Sequence, residues 1–503
     1  MRTSSNSTQL SQWHLLPLAG FSEIDVQQKS AALTRYTQLH PQVSLNEIAS
    51  LMGQENLAGT YRKAVVVNSA SCITQQLGIN FASEVTARQA AQVVFMFPGI
   101  GDHYRHMGWG LYKSIPYFRE ILDKCDGELR PFFNESLLDF LYPEETTDNE
   151  TNTTGLDLAA MLGRKQASTD VNSPESRLQE TAVAHPLVFS IEYSLAKLLQ
   201  HWGIQPHGLV GYSLGEYVAA TISGVLTLKD ALSLVAQRAK LIQSLPTGKM
   251  LATPLSPEHV KPYLNERVSL SAHNGDNLTI LAGETNAILA TQHQLVDQQI
   301  ACRLLDTTHA FHSHMMQGAV AELTNLAQSL SYASPKIPYL SNVTGTWITA
   351  QQAMDPTYWA KHMCQPVQYF NMLHHLLSQE QICQLIEVGP GQSLGSFVKQ
   401  HPQCKQEQYT LTHPTLRYSY DHQDDRWFLL STMRKLWLSG VDLQWKTILP
   451  EYPDGLETDR DVPSLFPATS ITSQEITQQK NRGEKRREKQ VRHRNNHSKR
   501  ISS

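Results

Sequence analysis

The sequence predicts an α/β protein whose main domain is built on a parallel sheet, with a small subdomain inserted into it and a small α/β unit before it. Three patterns support this prediction. A continuous apolar run at 93–97 ends in a glycine loop, as interior strands of parallel sheets often do. A second apolar strand, at 208–211, ends in a tight turn that leads into a helix. Residues 250–305 follow the order β-α-β-β-α-β, which is typical of a ferredoxin-like unit.

The first ninety residues divide into a polar start and a small α/β unit. Residues 1–12 are polar, and a segment with so few apolar residues favours disorder. Apolar residues recur with helical spacing at 26–40 and 45–52, whereas 63–67 is a short apolar strand. We therefore expect an N-terminal α/β linker domain at 13–90, and its residues suggest no catalytic site.

The loop after the strand at 93–97 contains Gly99 and Gly101 and lies where α/β sheets place ligands. It lacks the third glycine of a dinucleotide-binding fingerprint, although a loop that binds phosphate stays open as an alternative. Further along, residues 143–180 are rich in Thr, Asn, Asp, Glu and Ser, so we expect a partly disordered surface insertion. The spacing of apolar residues at 186–202 then predicts a buried helix.

The most specific motif is Gly211-x-Ser213-x-Gly215, which has the spacing of the nucleophile elbow of hydrolase-like sheets. A sharp strand-to-helix turn strains the backbone of the serine, and side chains in place of the two glycines would collide with the turn. The following helix points its N-terminus at Ser213, so its free backbone N–H groups can stabilise negative charge on an attacked carbonyl. An ordinary glycine-rich turn capped by serine has the same spacing and stays open as an alternative.

The inserted subdomain is predicted from its alternating elements. Strands are expected at 250–255, 268–273, 278–283 and 301–305, and helices at 256–264, with Ser256 as its N-cap, and at 285–298. Beyond it we expect strands at 338–343 and 382–388 and a helix at 427–440. The predicted divisions are a disordered start (1–12), the linker domain (13–90), the large subdomain in two parts (91–247 and 307–415), the ferredoxin-like small subdomain (248–306), a C-terminal linker (416–465) and a basic disordered tail (466–503).

Composition excludes several classes of protein. The chain has 503 residues and a net charge of −4, and its six cysteines are scattered without a C-x-x-C pair. This favours a reducing cytoplasm and argues against a disulfide framework or structural zinc. No apolar run approaches the ~18 residues that a membrane helix needs, and the start lacks a signal-peptide pattern. The basic stretch at 480–500 has no interleaved aromatic residues, so we expect a solvated tail rather than nucleic-acid binding, although it could also dock an acidic carrier protein.

A serine hydroxyl is a weak nucleophile and needs a base. His312 is the best-placed histidine because it lies where the chain returns from the inserted subdomain to the main sheet. His309 and His314 are competing candidates for the same role. The His-x-x-His-x-His spacing also fits metal ligands, but no carboxylate lies at a ligand spacing, so we expect no metal.

Six motifs occur in one order between residues 92 and 415. They are Phe97-Pro98-Gly99-x-Gly101, Gly211-x-Ser213-Leu214-Gly215-Glu216, Gln237-Arg238-Ala239-Lys240, His309-Ala310-Phe311-His312-Ser313, Ser341-Asn342-Val343-Thr344-Gly345 and Glu387-Val388-Gly389-Pro390-Gly391. Together they resemble the acyltransferase domain of modular polyketide synthases, which is related to the malonyl-CoA:acyl-carrier-protein transacylase of fatty-acid synthesis. Residues 13–90 and 427–445 resemble the linkers that flank this domain. Since the sequence contains no ketosynthase or carrier domain, we expect a free-standing, monomeric acyltransferase that acts in trans on acyl carrier proteins.

The resemblance implies a role for each residue near the elbow. Ser213 would attack the thioester of an acyl-CoA, with His312 as general base, and a main-chain carbonyl near His362 would orient the imidazole. The backbone N–H groups of Leu214 and Ile100 would form the oxyanion hole. The loop departs from the family's Gly-Gln-Gly-x-Gln pattern, but Ile100 still offers its backbone N–H. No bound cofactor is expected, since acyl-CoA is the donor and the carrier's phosphopantetheine the acceptor.

The resemblance also implies a donor. Arg238 would pair with the free carboxylate of malonyl, although without the resemblance it fits an ordinary solvated charge on a helix. The sequence from His309 to His312, with Phe311, is the variant that accompanies malonyl rather than methylmalonyl units. Tyr212 replaces the usual histidine before the serine, and His185 replaces a usual glutamine. Both alter the polarity of the pocket, so another substituted malonyl stays open as the donor.

Two functions of other classes stay open as well. A serine hydrolase, such as a thioesterase that edits stalled carrier proteins, would use the same elbow but deliver the acyl group to water. A non-catalytic carrier-docking protein would need neither the serine nor the histidine, and the presence of both argues against it.

Overall fold

The computed structural model describes residues 13–55, 57–79, 83–84, 92–143, 177–379 and 383–450. The predictions for residues 1–12, for most of the insertion and for the basic tail lie outside the described residues. The described chain forms a three-stranded, a five-stranded and a four-stranded sheet. No helix in this part of the chain combines the length and the apolar character that a membrane crossing requires.

The N-terminal unit packs three helices around an antiparallel sheet. Its elements are β1 (His14–Gly20), α1 (Glu23–Leu39), α2 (Leu45–Gly53), β2 (Tyr61–Val67), α3 (Ala70–Ile79) and β3 (Ser83–Glu84). The sequence analysis did not predict β1, although all seven of its residues are buried. β1 is an edge strand of the order β1-β2-β3, and Pro17 is tolerated there because an edge strand leaves one row of N–H groups outside the ladder.

The first half of the main domain follows. Its elements are β4 (Gln92–Phe97), α4 (Trp109–Ser114), α5 (Pro116–Leu129), α6 (Leu138–Leu141), α7 (Thr181–His201), β5 (Gly208–Gly211), α8 (Gly215–Ile222) and α9 (Leu228–Gln243). The predicted start of α7 at residue 186 is wrong, because the helix begins at Thr181 and continues through Pro186. Prolines favour the first helical turn, but here burial of nearly the whole helix outweighs one lost backbone hydrogen bond.

The inserted subdomain has the predicted order of elements. They are β6 (Lys249–Thr253), α10 (Pro257–Val260), β7 (Val268–Gly275), β8 (Leu278–Gly283), α11 (Thr285–Asp297) and β9 (Arg303–Leu304). The sheet order is β7-β8-β6-β9 with every neighbouring pair antiparallel, which confirms the ferredoxin-like prediction. The Ser256 side chain caps α10 as expected, accepting from the backbone N–H of His259.

The second half of the main domain completes the parallel sheet. Its elements are α12 (Val320–Gln328), β10 (Tyr339–Leu340), α13 (Ala350–Ala353), α14 (Tyr358–Cys364), α15 (Tyr369–Leu377), β11 (Cys383–Glu387), α16 (Ser393–Gln400), β12 (Thr412–Pro414), α17 (Asp425–Leu438) and α18 (Trp445–Ile448). Short 3-10 helices lie at Lys261–Tyr263, His314–Ala319 and Gln406–Leu411. α17 packs on the N-terminal unit, where Arg434 Nε donates to the carbonyl of Ala64 and Arg62 pairs with Asp442.

The five-stranded sheet has the order β10-β5-β4-β11-β12, and all of its neighbouring pairs are parallel. β4 is the central strand, and all of its residues except Gln92 are buried, as predicted for an interior strand. The hydrolase-like parallel sheet is therefore confirmed. Since parallel strands end at the same edge, the loops after β4, β5 and β11 meet there, and the elbow lies among them.

Candidate active site

The elbow between β5 and α8 has the strained geometry that its glycines predict. Ser213 has φ 51°, in the left-handed region that residues with side chains rarely adopt. A Cβ on Gly211 would overlap the backbone N of Glu216, and a Cβ on Gly215 would overlap the carbonyl of Phe97 at the end of β4. Both glycines are therefore required by close approach of backbone to backbone, which holds the serine at the tip of the turn.

His312 faces Ser213 although the two are 99 residues apart, with 2.7 Å between Ser213 Oγ and His312 Nε2. On its other side, Nδ1 lies 3.0 Å from the carbonyl oxygen of His362 and 3.1 Å from that of Gln365. Because carbonyls only accept, Nδ1 carries the proton and Nε2 is left as the acceptor for the serine hydroxyl. The sequence-based expectation named only His362. Gln365 was missed, and its signal is its position directly after α14, where helix carbonyls lack partners.

Burial lowers the pKa of His312 from 6.5 to about 3, helped by the neighbouring charges of His362 and Arg238. The two carbonyls on Nδ1 act in the opposite direction but do not outweigh burial. His312 is therefore neutral at physiological pH, which is the form that accepts a proton from the serine hydroxyl.

The other two histidines of the motif have different partners. His309 Nδ1 lies 2.9 Å from Thr308 Oγ1, and His314 Nδ1 lies 2.9 Å from Ser269 Oγ. The three imidazoles do not converge, and within the described ranges no group of three His, Cys, Asp or Glu side chains could hold a metal ion.

The two residues predicted to supply the oxyanion hole lie on the elbow and on the loop that contacts it. Leu214 is the residue before α8, and Ile100 lies in the loop after β4. Neither amide donates a hydrogen bond to any part of the chain that the structure describes. Gly99, at φ 68°, lies so close to the elbow that a Cβ there would meet the carbonyl of Tyr212 at 2.6 Å. The loop that carries Ile100 and the elbow that carries Leu214 are thus in direct contact.

Arg238, on α9, is 1% exposed. Its Nη1 lies 2.9 Å from His185 Nδ1, its guanidinium stacks 5.2 Å from the ring centre of Tyr217, and its Nε has no hydrogen-bond partner. No Asp or Glu among the described residues pairs with it. Burying a charge without an opposite charge is costly, so this site favours an anionic ligand.

The chain matches the family of acyl transferase domains over residues 94–442, which is well over half of its length. It belongs to this family. It is 32% identical over 365 residues to a protein of the phenolphthiocerol/phthiocerol polyketide synthase of Mycobacterium tuberculosis, covering 72% of this chain and 22% of that protein. A match to the orsellinic acid synthase armB of Armillaria mellea is 28% identical over 436 residues and covers 82% of this chain and 18% of the synthase. The chain thus spans about a fifth of the length of these curated relatives.

Comparison with solved structures indicates the same family. The acyl transferase domain of ZmaA superposes with a TM-score of 0.75 at 29% identity, over 88% of this chain and 97% of that one. The acyl transferase domain of SpnD, solved in complex with 2-(pent-4-yn-1-yl)malonyl, gives 0.71 at 27% identity, over 88% and 98% of the two chains. The resemblance to polyketide synthase-type acyltransferases that the six motifs carry is confirmed.

In this acyl transferase domain His185 is a second polar group beside Arg238. A guanidinium only donates, so His185 Nδ1 must accept from it and Nε2 must carry the proton. Burial, followed by the charge of Arg238, lowers the pKa of His185 well below its usual value, so the ring stays neutral. Its Nε2 is buried without a hydrogen-bond partner. The ring of Phe311 lies 5.5 Å from His185 and 6.2 Å from His309, so these three of the predicted substrate-binding side chains lie together.

Tyr212, the unusual residue before the serine, joins the two subdomains of the acyl transferase. Its hydroxyl lies near the side chain of Asn274 on β7, and its ring packs edge-on against Tyr369, 5.4 Å away. Burial raises the pKa of Tyr212 to about 12, so the hydroxyl stays protonated. The side chain therefore contributes to the wall of the site next to Ser213, where the small subdomain meets the parallel sheet.

Asn342 was part of a quoted motif, but the sequence analysis assigned it no role. Its Oδ1 accepts from the backbone N–H of Ser213 at 2.7 Å, and its Nδ2 donates to the carbonyl of Gly211 at 2.5 Å. Asn342 therefore holds the backbone on both sides of the elbow. No local sequence pattern indicates this contact, because it depends on β10 lying next to β5 in the sheet.

Proposed function

We propose that this protein transfers a malonyl or closely related substituted malonyl unit from CoA, through an ester on Ser213, to the phosphopantetheine thiol of a separate acyl carrier protein in polyketide or hybrid polyketide/nonribosomal peptide synthesis. The observation that carries the proposal is Arg238, a buried guanidinium without an acidic partner in the described chain, near the pair of Ser213 and His312. Family membership supports the reaction type, and Arg238 supports an acyl group with a free carboxylate.

The first half-reaction forms the acyl-enzyme. Ser213 Oγ attacks the thioester carbon while His312 Nε2 takes the hydroxyl proton. The carbonyl oxygen becomes an oxyanion and accepts hydrogen bonds from the amides of Ile100 and Leu214. When the intermediate collapses, the carbon–sulfur bond breaks and CoA leaves as a thiol, having received the proton from His312. His312 is then neutral again.

The second half-reaction runs the same steps with another thiol. His312 takes the proton of the carrier's phosphopantetheine thiol, and the sulfur attacks the ester carbon on Ser213. The oxyanion forms in the same place, the bond to Ser213 Oγ breaks, and the serine recovers the proton from His312. CoA therefore leaves before the carrier reacts, which is ping-pong kinetics. These steps use acyl-CoA, the carrier and the chain's own side chains.

Recognition of the donor rests on charge and hydrogen bonding. The planar fork of Arg238 suits a carboxylate, which would satisfy the buried charge that the described part of the chain leaves unpaired. The free Nε2–H of His185 would donate a further hydrogen bond to a polar atom of the acyl group. A neutral acyl chain would leave both groups unsatisfied in the protein interior, so dicarboxylic donors are favoured over acetyl.

The test is intact-protein mass spectrometry after incubation with malonyl-, methylmalonyl- and acetyl-CoA. We expect a malonyl adduct on Ser213 that disappears when a stand-alone carrier protein with its phosphopantetheine is added, while the carrier gains the same mass. Release of the acyl group as free acid in the presence of the carrier would favour the thioesterase alternative. The absence of any adduct would favour the carrier-docking alternative.

Phe311→Ala is expected to admit bulkier donors. The ring is half-buried beside His185, and removing it opens space next to the acyl group. Pockets discriminate a single methyl group by roughly tenfold or more, so the ratio of methylmalonyl to malonyl acylation should rise about tenfold. Rates with the two donors in parallel measure the ratio. Phe370→Ala is the control, since that ring packs on His273 and His401 instead, and an equal change in both variants would contradict the assignment.

The pH dependence of Ser213 reactivity should follow the lowered pKa of His312. An imidazole with the ordinary pKa of 6.5 would be only about one-tenth neutral at pH 5.5, whereas one with a pKa of about 3 stays neutral. We expect the rate constant for labelling of Ser213 by an uncharged fluorophosphonate to change by less than about twofold between pH 7.5 and 5.5, and to fall only as the pH approaches 3. A tenfold fall by pH 5.5 would show that His312 titrates normally.

A further inference from the structure

Glu216 is a fully buried acid close to the nucleophile, and the steps above do not use it. It lies three residues after Ser213, in the first turn of α8, with 0% of its surface exposed. Its Oε1 accepts a short hydrogen bond from the hydroxyl of Tyr358. Its Oε2 accepts from the backbone N–H of Asn342 at 2.8 Å and lies 3.3 Å from His362 Nε2. A buried carboxylate with several partners orders the groups that surround it.

One set of contacts leads from Glu216 to the nucleophile. The carboxylate holds the backbone of Asn342, and the Asn342 side chain bonds the backbone of Ser213 and of Gly211. Ser213 is in a left-handed conformation, which persists only when the surrounding contacts enforce it. Glu216 therefore supports the residue that keeps the elbow in its strained shape.

A second set of contacts leads from the same carboxylate to the base. Glu216 Oε2 lies beside the imidazole of His362, whose main-chain carbonyl accepts from His312 Nδ1. His312 also has a positive φ, 55°, so its orientation depends on neighbouring contacts as well. The oxygen that holds Asn342 thus also lies against the side chain of the α14 residue whose carbonyl orients the base.

We infer that Glu216 is a positioning residue that holds the nucleophile through Asn342 and the base through His362, so that Ser213 Oγ and His312 Nε2 stay within hydrogen-bond reach. The pair has no acidic residue on the imidazole itself, because main-chain carbonyls occupy that place. Glu216 instead acts through one intervening residue on each side, and so on both the nucleophile and the base. The inference rests on the proposed function only for the identity of the nucleophile and the base.

The test compares Glu216→Ala with Glu216→Gln. The glutamine keeps an oxygen for the Asn342 N–H, and its amide can donate to the Tyr358 hydroxyl, so the positions should be preserved. We expect Glu216→Ala to slow labelling of Ser213 by a fluorophosphonate and acylation by malonyl-CoA by about thirtyfold to a hundredfold, since misplacement by about 1 Å costs this much. The malonyl-CoA concentration for half-maximal rate should not change. Glu216→Gln should stay within about threefold of the wild type.

Asp126→Ala is the matched control. Asp126 is also a buried carboxylate, and it accepts from Ser136 Oγ and from the backbone N–H of Leu137, neither of which contacts the nucleophile or the base. It should lower the melting temperature without slowing the labelling. A folded Glu216→Ala protein that labels at the wild-type rate would overturn the inference, as would an Asp126→Ala protein that is slowed equally.

If Glu216→Ala does not fold, the two routes are tested separately. Asn342→Ala removes the side chain that bonds the backbone of Ser213 and Gly211, and His362→Leu removes the imidazole that lies against Glu216. Each should slow labelling by about tenfold. Wild-type rates in both variants would overturn the inference. The probe carries no malonyl group, so a wild-type protein that is labelled but not malonylated would contradict the proposed function and leave the role of Glu216 testable.

Discussion

Arg238→Ala is expected to lower the rate of Ser213 acylation by malonyl-CoA by about a hundredfold to a thousandfold, the usual cost of removing one partner of a buried charge pair. The reason is that the guanidinium is buried and has no acidic partner among the described residues, so the carboxylate of the donor is the anion that it lacks. The rate of adduct formation, followed by intact mass, measures the effect.

Acetyl-CoA provides the internal control for this variant. Acetyl has no carboxylate, so its slow acylation should be unchanged or faster in Arg238→Ala, and the preference for malonyl should disappear. Arg238→Lys keeps the charge but loses the planar fork, and an intermediate loss of about tenfold is expected. The melting temperature of Arg238→Ala should not fall much, because an unpaired buried charge destabilises the folded protein and the variant no longer carries it. Equal losses with malonyl and acetyl would contradict the assignment of Arg238 to the donor carboxylate.

Ser213→Ala is expected to abolish the acyl-enzyme and to reduce transfer to the carrier by about 10⁴-fold or more, as loss of the nucleophile does in comparable serine enzymes. His312→Ala should have an effect of similar size, and the double variant should be little worse, because the two groups act as one unit. Intact mass after incubation with malonyl-CoA, together with carrier loading, measures both quantities.

Ser223→Ala serves as the control for Ser213→Ala. Ser223 is a buried serine whose hydroxyl donates to the carbonyl of Ala220 at the end of α8 instead of facing His312. The control should keep its adduct and its transfer activity. An acyl adduct that persists in Ser213→Ala would show that another residue is the nucleophile.

Much of the fold was predictable because local patterns encode it. The apolar run of β4, the glycine spacing of the elbow and the alternating elements of the inserted subdomain all appear in the structure close to their predicted bounds. The errors have local causes too. β1 contains Pro17, which is atypical of a strand, and α7 continues through Pro186, which is atypical of a helix interior, so neither follows from its local pattern.

The sequence predicted the side chains of the site better than its backbone contacts. The family motifs indicated Ser213, His312 and Arg238, but not the geometry that brings the first two within 2.7 Å. Gln365 contributes its main-chain carbonyl, which every residue has, so the identity of its side chain does not indicate the contact. Glu216 was visible only as part of a motif, and its contacts with Asn342 and His362 appear only in the folded chain.

By itself, the sequence determined the order of strands and helices, the strained turn at Ser213 and the family, because periodicity, glycine spacing and motif order are properties of short stretches. Only the tertiary structure decided which of three neighbouring histidines faces the serine, and that no described acid faces Arg238. These facts depend on contacts between residues that are distant along the chain. The parallel sheet and the inserted subdomain bring such residues together, and no short stretch of sequence records the distance between them.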